Sequence, residues 1–283
     1  MQVLSLVNQK GGCGKTTTAV NLAGALAARG ESVLLVDLDP QAHATLALGQ
    51  APERHEASVA EVLLDEAQAS EAIVRCPGGI DLLPARLDLG EFEEVSARLL
   101  HPEQRLRVVL ESVRGRYGWV VVDCPPRADG VLCANALFAS TTTMLVVETG
   151  AFALQGALQA LQIFEDAAER QNRVYRIRVV GTLFDRRTRF ARELLIALHG
   201  RFAGAMYDTV IRSSVRLREG PAVGLPIQEH APASRAAADF AALAEEIYLD
   251  KQVDLPASDG VRMGEAHRAA LGVKGPGERL GTH

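Results

Sequence analysis

The chain has 283 residues, 48% of them hydrophobic and 23% charged, with a formal net charge of −5. That is ample apolar material for one α/β domain around a buried sheet. No run approaches the ~18 apolar residues that cross a bilayer and no basic leader precedes the first apolar segment, so a cytoplasmic protein without membrane attachment is expected.

The first predicted element is an apolar strand, Val3 to Val7. Gln9-Lys10-Gly11-Gly12-Cys13-Gly14-Lys15-Thr16 follows and opens a helix predicted over Lys15–Ala28. Strand, glycine loop and helix in this order make a phosphate cradle. The glycines turn backbone N–H groups toward an anion, the helix start adds its positive dipole end, Lys15 reaches the β- and γ-phosphates, and the Thr16 hydroxyl can ligate Mg²⁺. The standard Gly-x₄-Gly-Lys-Thr spacing would place a glycine at position 9, where Gln9 stands, and a second lysine, Lys10, comes next.

Further strands are predicted at Val33–Asp37, Trp119–Asp123, Thr143–Val147 and Arg178–Leu183. They are rich in Val, Leu and Ile with little alternation, as in strands covered on both faces. Helical patterns at Pro102–Arg114, Leu154–Arg170 and Phe190–Arg201 separate the later ones. The β–α–β order predicts an α/β fold with a doubly wound, mostly parallel sheet, which gathers phosphate-binding loops at the carboxyl ends of the strands. Asp37 and Asp123 both end apolar strands on that edge. One domain is expected over residues 1–249, with a disordered tail over 250–283, where Gly and Pro recur and apolar periodicity is lost. Four cysteines, Cys13, Cys76, Cys124 and Cys133, show no C-x-x-C spacing. They are read as free thiols, with Cys13 and Cys124 as small apolar fillers.

Five stretches in order resemble the ParA/Soj-type partition ATPases, the deviant-Walker P-loop proteins related to MinD. They are Val7-Asn8-Gln9-Lys10-Gly11-Gly12, Leu35-Val36-Asp37-Leu38-Asp39-Pro40-Gln41, Ile80-Asp81-Leu82-Leu83-Pro84-Ala85, Val121-Val122-Asp123-Cys124-Pro125-Pro126, and Val215-Arg216-Leu217-Arg218-Glu219 with Gly224-Leu225-Pro226-Ile227. The resemblance implies a P-loop architecture and ATP with Mg²⁺ as cofactors. Phosphoryl transfer needs positioning and charge neutralisation. Lys10, Gly11, Gly12, Cys13, Gly14, Lys15, Thr16 and Thr17 would form the nucleotide loop, with Thr17 at the α-phosphate. Thr16 would hold Mg²⁺ directly and Asp123 through water, while Asp39 would orient the hydrolytic water. Asp37 is open between an outer-shell metal role and a loop cap. In similar proteins the lysine matching Lys10 crosses a two-fold interface to the partner's nucleotide, so the implied active unit is an ATP-bound homodimer.

Residues 170 to 218 hold twelve arginines against Asp185, Glu193 and Asp208, a local charge of +9 within an acidic chain. Such an excess is an electrostatic footprint for a polyanion. The resemblance places sequence-independent DNA contacts at Arg187 and Arg216. It departs at Arg212-Ser213-Ser214, where many relatives have Pro-Arg-Asn, and at Gly150-Ala151, which replaces an acidic–aromatic pair. The implied function is a weak, partner-stimulated ATPase that positions a cargo, a chromosome or plasmid origin or a large body, over the nucleoid through a ParB-like or other adaptor. Two alternatives stand beside it: a Min-like membrane switch, which needs a C-terminal amphipathic helix, and an iron–sulfur relative, which needs paired cysteines. The glycine-rich tail and the isolated cysteines favour neither.

Overall fold

In the computed structural model, residues 1–252 are described apart from 128, 151, 172 and 174, so all but the first three residues of the tail expected over 250–283 lie outside the described residues. Eight strands form one sheet: β1 (Gln2–Val7), β2 (Val33–Asp37), β3 (Val74–Arg75), β4 (Ile80–Leu83), β5 (Trp119–Asp123), β6 (Thr142–Glu148), β7 (Ile177–Phe184) and β8 (Met206–Arg212). Their order is β3-β4-β2-β5-β1-β6-β7-β8, and every neighbouring pair is parallel except β3 with β4. The expected doubly wound, mostly parallel sheet is therefore present.

The central strands are apolar because both of their faces are covered. One side carries a core with Val36, Leu83, Val122, Leu145 and Phe164; the other carries Leu6, Leu35, Trp119, Val121 and Phe240. β8 escaped the sequence reading because it is an edge strand with exposed and half-buried polar positions at Asp208 and Thr209, which blurs its pattern. β3 has only two residues, too few for any periodicity to register.

The helix Lys15–Ala28 forms as read, and the pattern at Pro102–Arg114 resolves into a 3₁₀ turn, Pro102–Gln104, and a helix, Arg105–Ser112. The last helix, Arg235–Gln252, runs past the boundary expected at residue 249. Asp250, assigned to the tail by composition, accepts hydrogen bonds from Arg176, Arg178 and Tyr207. That contact is invisible to composition because its partners lie 43 to 74 positions away.

β1 sits between β5 on one side and β6 on the other. The chain reverses its direction of sheet growth there, and such a switch point opens a crevice above the strand ends where α/β sheets bind ligands. The loop after β1 occupies it.

Candidate nucleotide site

The loop between Val7 and the helix is built by its backbone. Gly12 and Gly14 have φ of 76° and 89°, the left-handed region that costs an L-residue about 1–2 kcal/mol. Gly14 caps the helix in that conformation without any side-chain hydrogen bond to the first turn, so the leading N–H groups stay available to an anion. Three side chains pin the loop. Asn8 donates to the Val146 carbonyl at 2.6 Å and accepts from the Lys10 N–H at 3.0 Å, while the Thr182 hydroxyl donates to the Cys13 carbonyl at 2.7 Å. Cys13 is fully buried beneath the loop, as expected of a filler, and all four cysteines are buried and free. Burial pushes the Cys13 thiol up, against the pull of Lys15.

The two lysines are placed differently. Lys15 is 7% exposed and curls inside the loop, its ammonium 3.2 Å from the Lys10 carbonyl that it bonds. Lys10 is exposed, and its ammonium pairs with Glu148 at the end of β6. Gly11 is exposed as well, and a Cβ built on it meets nothing within 4 Å.

Two aspartates end neighbouring strands in register, Asp37 on β2 beside Asp123 on β5, and both are fully buried. Their environments differ. Asp37 accepts from the Thr45 N–H and hydroxyl, each at 2.8 Å, and from the Asp39 N–H at 3.1 Å. The same Thr45 hydroxyl accepts from the Ala85 N–H at 3.0 Å, tying the ends of β2 and β4 together. Asp37 thus caps the loop that carries Asp39. Desolvation pushes its carboxyl up to about 6 despite the three donors. Asp39 accepts from the Gln41 N–H at 3.0 Å on one oxygen, and the other has no hydrogen-bond partner among the described residues.

Neither oxygen of Asp123 has a hydrogen-bond partner although both are buried. Burial raises its pKa well above the ordinary range and the nearby Asp37 adds to the rise, while Thr16 and Lys15 act in the opposite direction. A bare buried carboxylate beside a helix-start hydroxyl fits a divalent cation, because the cation would supply the charge and coordination that the protein leaves out. Thr16 and Asp123 are the residues that would hold Mg²⁺, and Mg²⁺ bound there would neutralise the phosphates.

A prediction follows from that exposed cost. Asp123→Asn removes a buried charge, so the metal- and nucleotide-free protein should melt a few degrees higher at pH values above the folded-state pKa of Asp123. The raised pKa sets the sign: the penalty is complete above the folded-state pKa and vanishes as the pH falls and Asp123 takes up its proton. The variant's advantage should therefore shrink toward acid. Its Mg²⁺-dependent ATP hydrolysis should fall by about two powers of ten or more. Calorimetry in chelator across a pH series and a phosphate-release assay check both halves, and a melting temperature below the parent's at every pH would remove the metal-site reading.

The basic segment is not the single surface that its count suggests. Arg176 and Arg178 pair with Asp250, Arg212 with Asp239 and Arg216 with Glu219, all acids from outside the segment. Those three acids lower the local charge from +9 to +6. Arg187 pairs with Asp185 yet keeps 85% of its side chain exposed, and Arg216 keeps 60%. A depression of about 430 Å³ collects Arg186, Arg187, Arg212, Arg218 and Arg235. Arg216 faces a smaller hollow beside Thr16 and Thr17 at the start of the first helix, so the two expected contacts do not share one depression.

A glycine loop at the sheet's switch point, a lysine folded into it, and a hydroxyl opposite a bare aspartate define a P-loop nucleotide site. A family model described as an AAA domain matches residues 1–177. The chain is 37% identical over 231 residues to the chromosome partitioning protein ParA of Caulobacter vibrioides, covering 80% of this chain and 86% of that one. It is 38% identical over 247 residues to the chromosome-partitioning ATPase Soj of Thermus thermophilus, covering 86% and 94%. A structure from Mycobacterium smegmatis, described as cobyrinic acid a,c-diamide synthase with bound ADP and magnesium, superposes with a TM-score of 0.79 at 31% identity, over 89% of this chain and 96% of that one. The chain belongs to the ParA/Soj family of P-loop partition ATPases. The bound ADP and magnesium of the Mycobacterium protein are the cofactor class the sequence reading expects here.

The loop residues Lys10 through Thr17, together with Asp37, Asp39 and Asp123, come to one edge of the sheet. Sequence reasoning overlooked Asn8, Thr45 and Thr182, which hold that edge, and Glu148. Asn8 stood in a quoted motif, and the other three carried no local signal.

Proposed function

We propose that this chain is an ATP- and Mg²⁺-dependent partition ATPase that dimerises around ATP, binds duplex DNA without sequence preference and positions a cargo over the nucleoid. Its hydrolysis is weak and stimulated by a ParB-like or other adaptor. The observation that carries the reading is the division between the lysines: Lys15 fills the loop interior, whereas Lys10 stands exposed at the loop's outer edge, where a second copy can approach. An exposed Lys10 beside an open Gly11 on that face suits a sandwich in which each subunit contributes to the other's triphosphate. ADP lacks the γ-phosphate that such a contact neutralises, so hydrolysis releases the dimer.

The exposed arginines around the 430 Å³ depression support the DNA partner. A solvent-exposed ion pair such as Arg187–Asp185 is weak and yields readily to phosphate. The cytoplasmic, nucleoid-associated location follows from this reading. Among the described residues no helix is long and apolar enough to cross a membrane.

The test is a mobility-shift titration of random-sequence duplexes with ATP or ADP. Binding should require ATP, and log K should fall with log salt by about 0.9 for each phosphate neutralised. Arg187→Glu with Arg216→Glu should weaken binding to all sequences alike and lower that slope, while ATP-dependent dimers persist in light scattering. Unchanged affinity in the double reversal would remove the assigned DNA face.

A further inference from the structure

Glu148 ends β6 on the sheet edge that carries the phosphate loop, and its Oε2 lies 2.5 Å from the Lys10 ammonium, 138 positions away in the chain. Among the described residues no other carboxylate comes within ion-pairing reach of Lys10. The turn that follows keeps Glu148 in place. The Gly150 N–H donates to the Glu148 carbonyl at 2.9 Å, and a Cβ at position 150 would lie 3.3 Å from the Glu148 carboxyl carbon and Oε1. The glycine leaves room for the side chain to fold back toward Lys10. A chain carrying a larger residue at 150 would crowd that acid.

We propose that Glu148 is a positioning residue that holds Lys10 on its own subunit until ATP is bound. The inference rests on the reading of Lys10 as the lysine that reaches the partner's nucleotide. A half-exposed ion pair is weak, so it acts as a threshold. The γ-phosphate carries more charge than one carboxylate and takes the lysine over once two ATP-loaded copies meet. ADP offers no comparable competitor, and Lys10 returns to Glu148.

Two measurements on the full chain test this. The first reads Lys10 directly: acylation of the nucleotide-free protein with an amine-reactive ester, followed by peptide mapping. The Glu148 carboxylate restrains the ammonium that the ester must reach, so Glu148→Gln should speed labelling of Lys10 by roughly two- to fivefold, with Gly150→Ala intermediate. The second is the ATP concentration giving half-maximal dimer in light scattering. It should fall by a similar factor in Glu148→Gln while the ATP affinity of the monomer, read at protein concentrations below dimerisation, is unchanged. A purely structural role for Glu148 would not produce that split.

Unchanged Lys10 labelling overturns the positioning role and leaves the dimer reading intact. Faster labelling with an unchanged or raised dimerisation midpoint also overturns it, since Lys10 would then be released without consequence, or Glu148 would help the dimer. A parent protein that forms no dimer at any ATP concentration overturns both readings.

Discussion

Lys15→Ala is expected to abolish useful ATP binding. The lysine is 7% exposed and folded inside the loop, so its charge would meet bound phosphates in a site largely stripped of water. Truncating one partner of such a pair costs about 3–5 kcal/mol, because the remaining charge is left without compensation, and 1.4 kcal/mol is a factor of ten in affinity. Dissociation constants should rise by two to more than three powers of ten in calorimetric titration. Lys10→Ala should behave otherwise. Its side chain is exposed outside the loop, so the monomer should bind ATP as before and fail only to form the ATP-dependent dimer in light scattering. If the Lys10 variant dimerises fully, the contact across the interface is wrong. If the Lys15 variant binds ATP normally, the cradle itself is misassigned.

The second large effect falls on the chemical step. Asp39→Ala removes a carboxylate with one oxygen committed to the Gln41 N–H and the other free, at the mouth of a loop anchored by Asp37. Loss of a group that orients or deprotonates the attacking water lowers turnover by about 10²- to 10⁴-fold. Asp37 holds the Asp39 N–H and Thr45 independently of the Asp39 side chain, so the loop should keep its shape and ATP and Mg²⁺ should stay bound. The protein should therefore accumulate as a persistent ATP dimer on DNA, measured as undiminished mobility shift together with negligible phosphate release. Hydrolysis at the parent rate would transfer the water-orienting role elsewhere. Asp37 is a poor successor, because its carboxylate is already committed to three donors.

Local chemistry made the nucleotide loop legible from sequence. Glycines at Gly12 and Gly14 are required by backbone conformations that no other residue adopts cheaply, and Lys15 and Thr16 follow them immediately. Apolar runs ending in Asp37 and Asp123 likewise announce buried strands with a carboxylate at the loop edge, since covered strands leave no polar alternation. The fold class, the loop and the two strand-end acids were therefore written in the chain.

Long-range pairing decided the rest. Asp37 and Asp123 read alike in sequence, but Thr45 and the Asp39 N–H satisfy the first while the second stays bare, which separates a loop cap from a candidate metal ligand. The arginine count over 170 to 218 overstated the free charge because Asp239 and Asp250, on the last helix, reach back to Arg212, Arg176 and Arg178. Lys10 was recognisable as an extra lysine, yet its partner Glu148 lies 138 positions away and carries no motif. The physical reason is the same in each case. A residue's type is set by the chain, whereas desolvation and charge compensation depend on which groups the sheet order brings within a few ångströms.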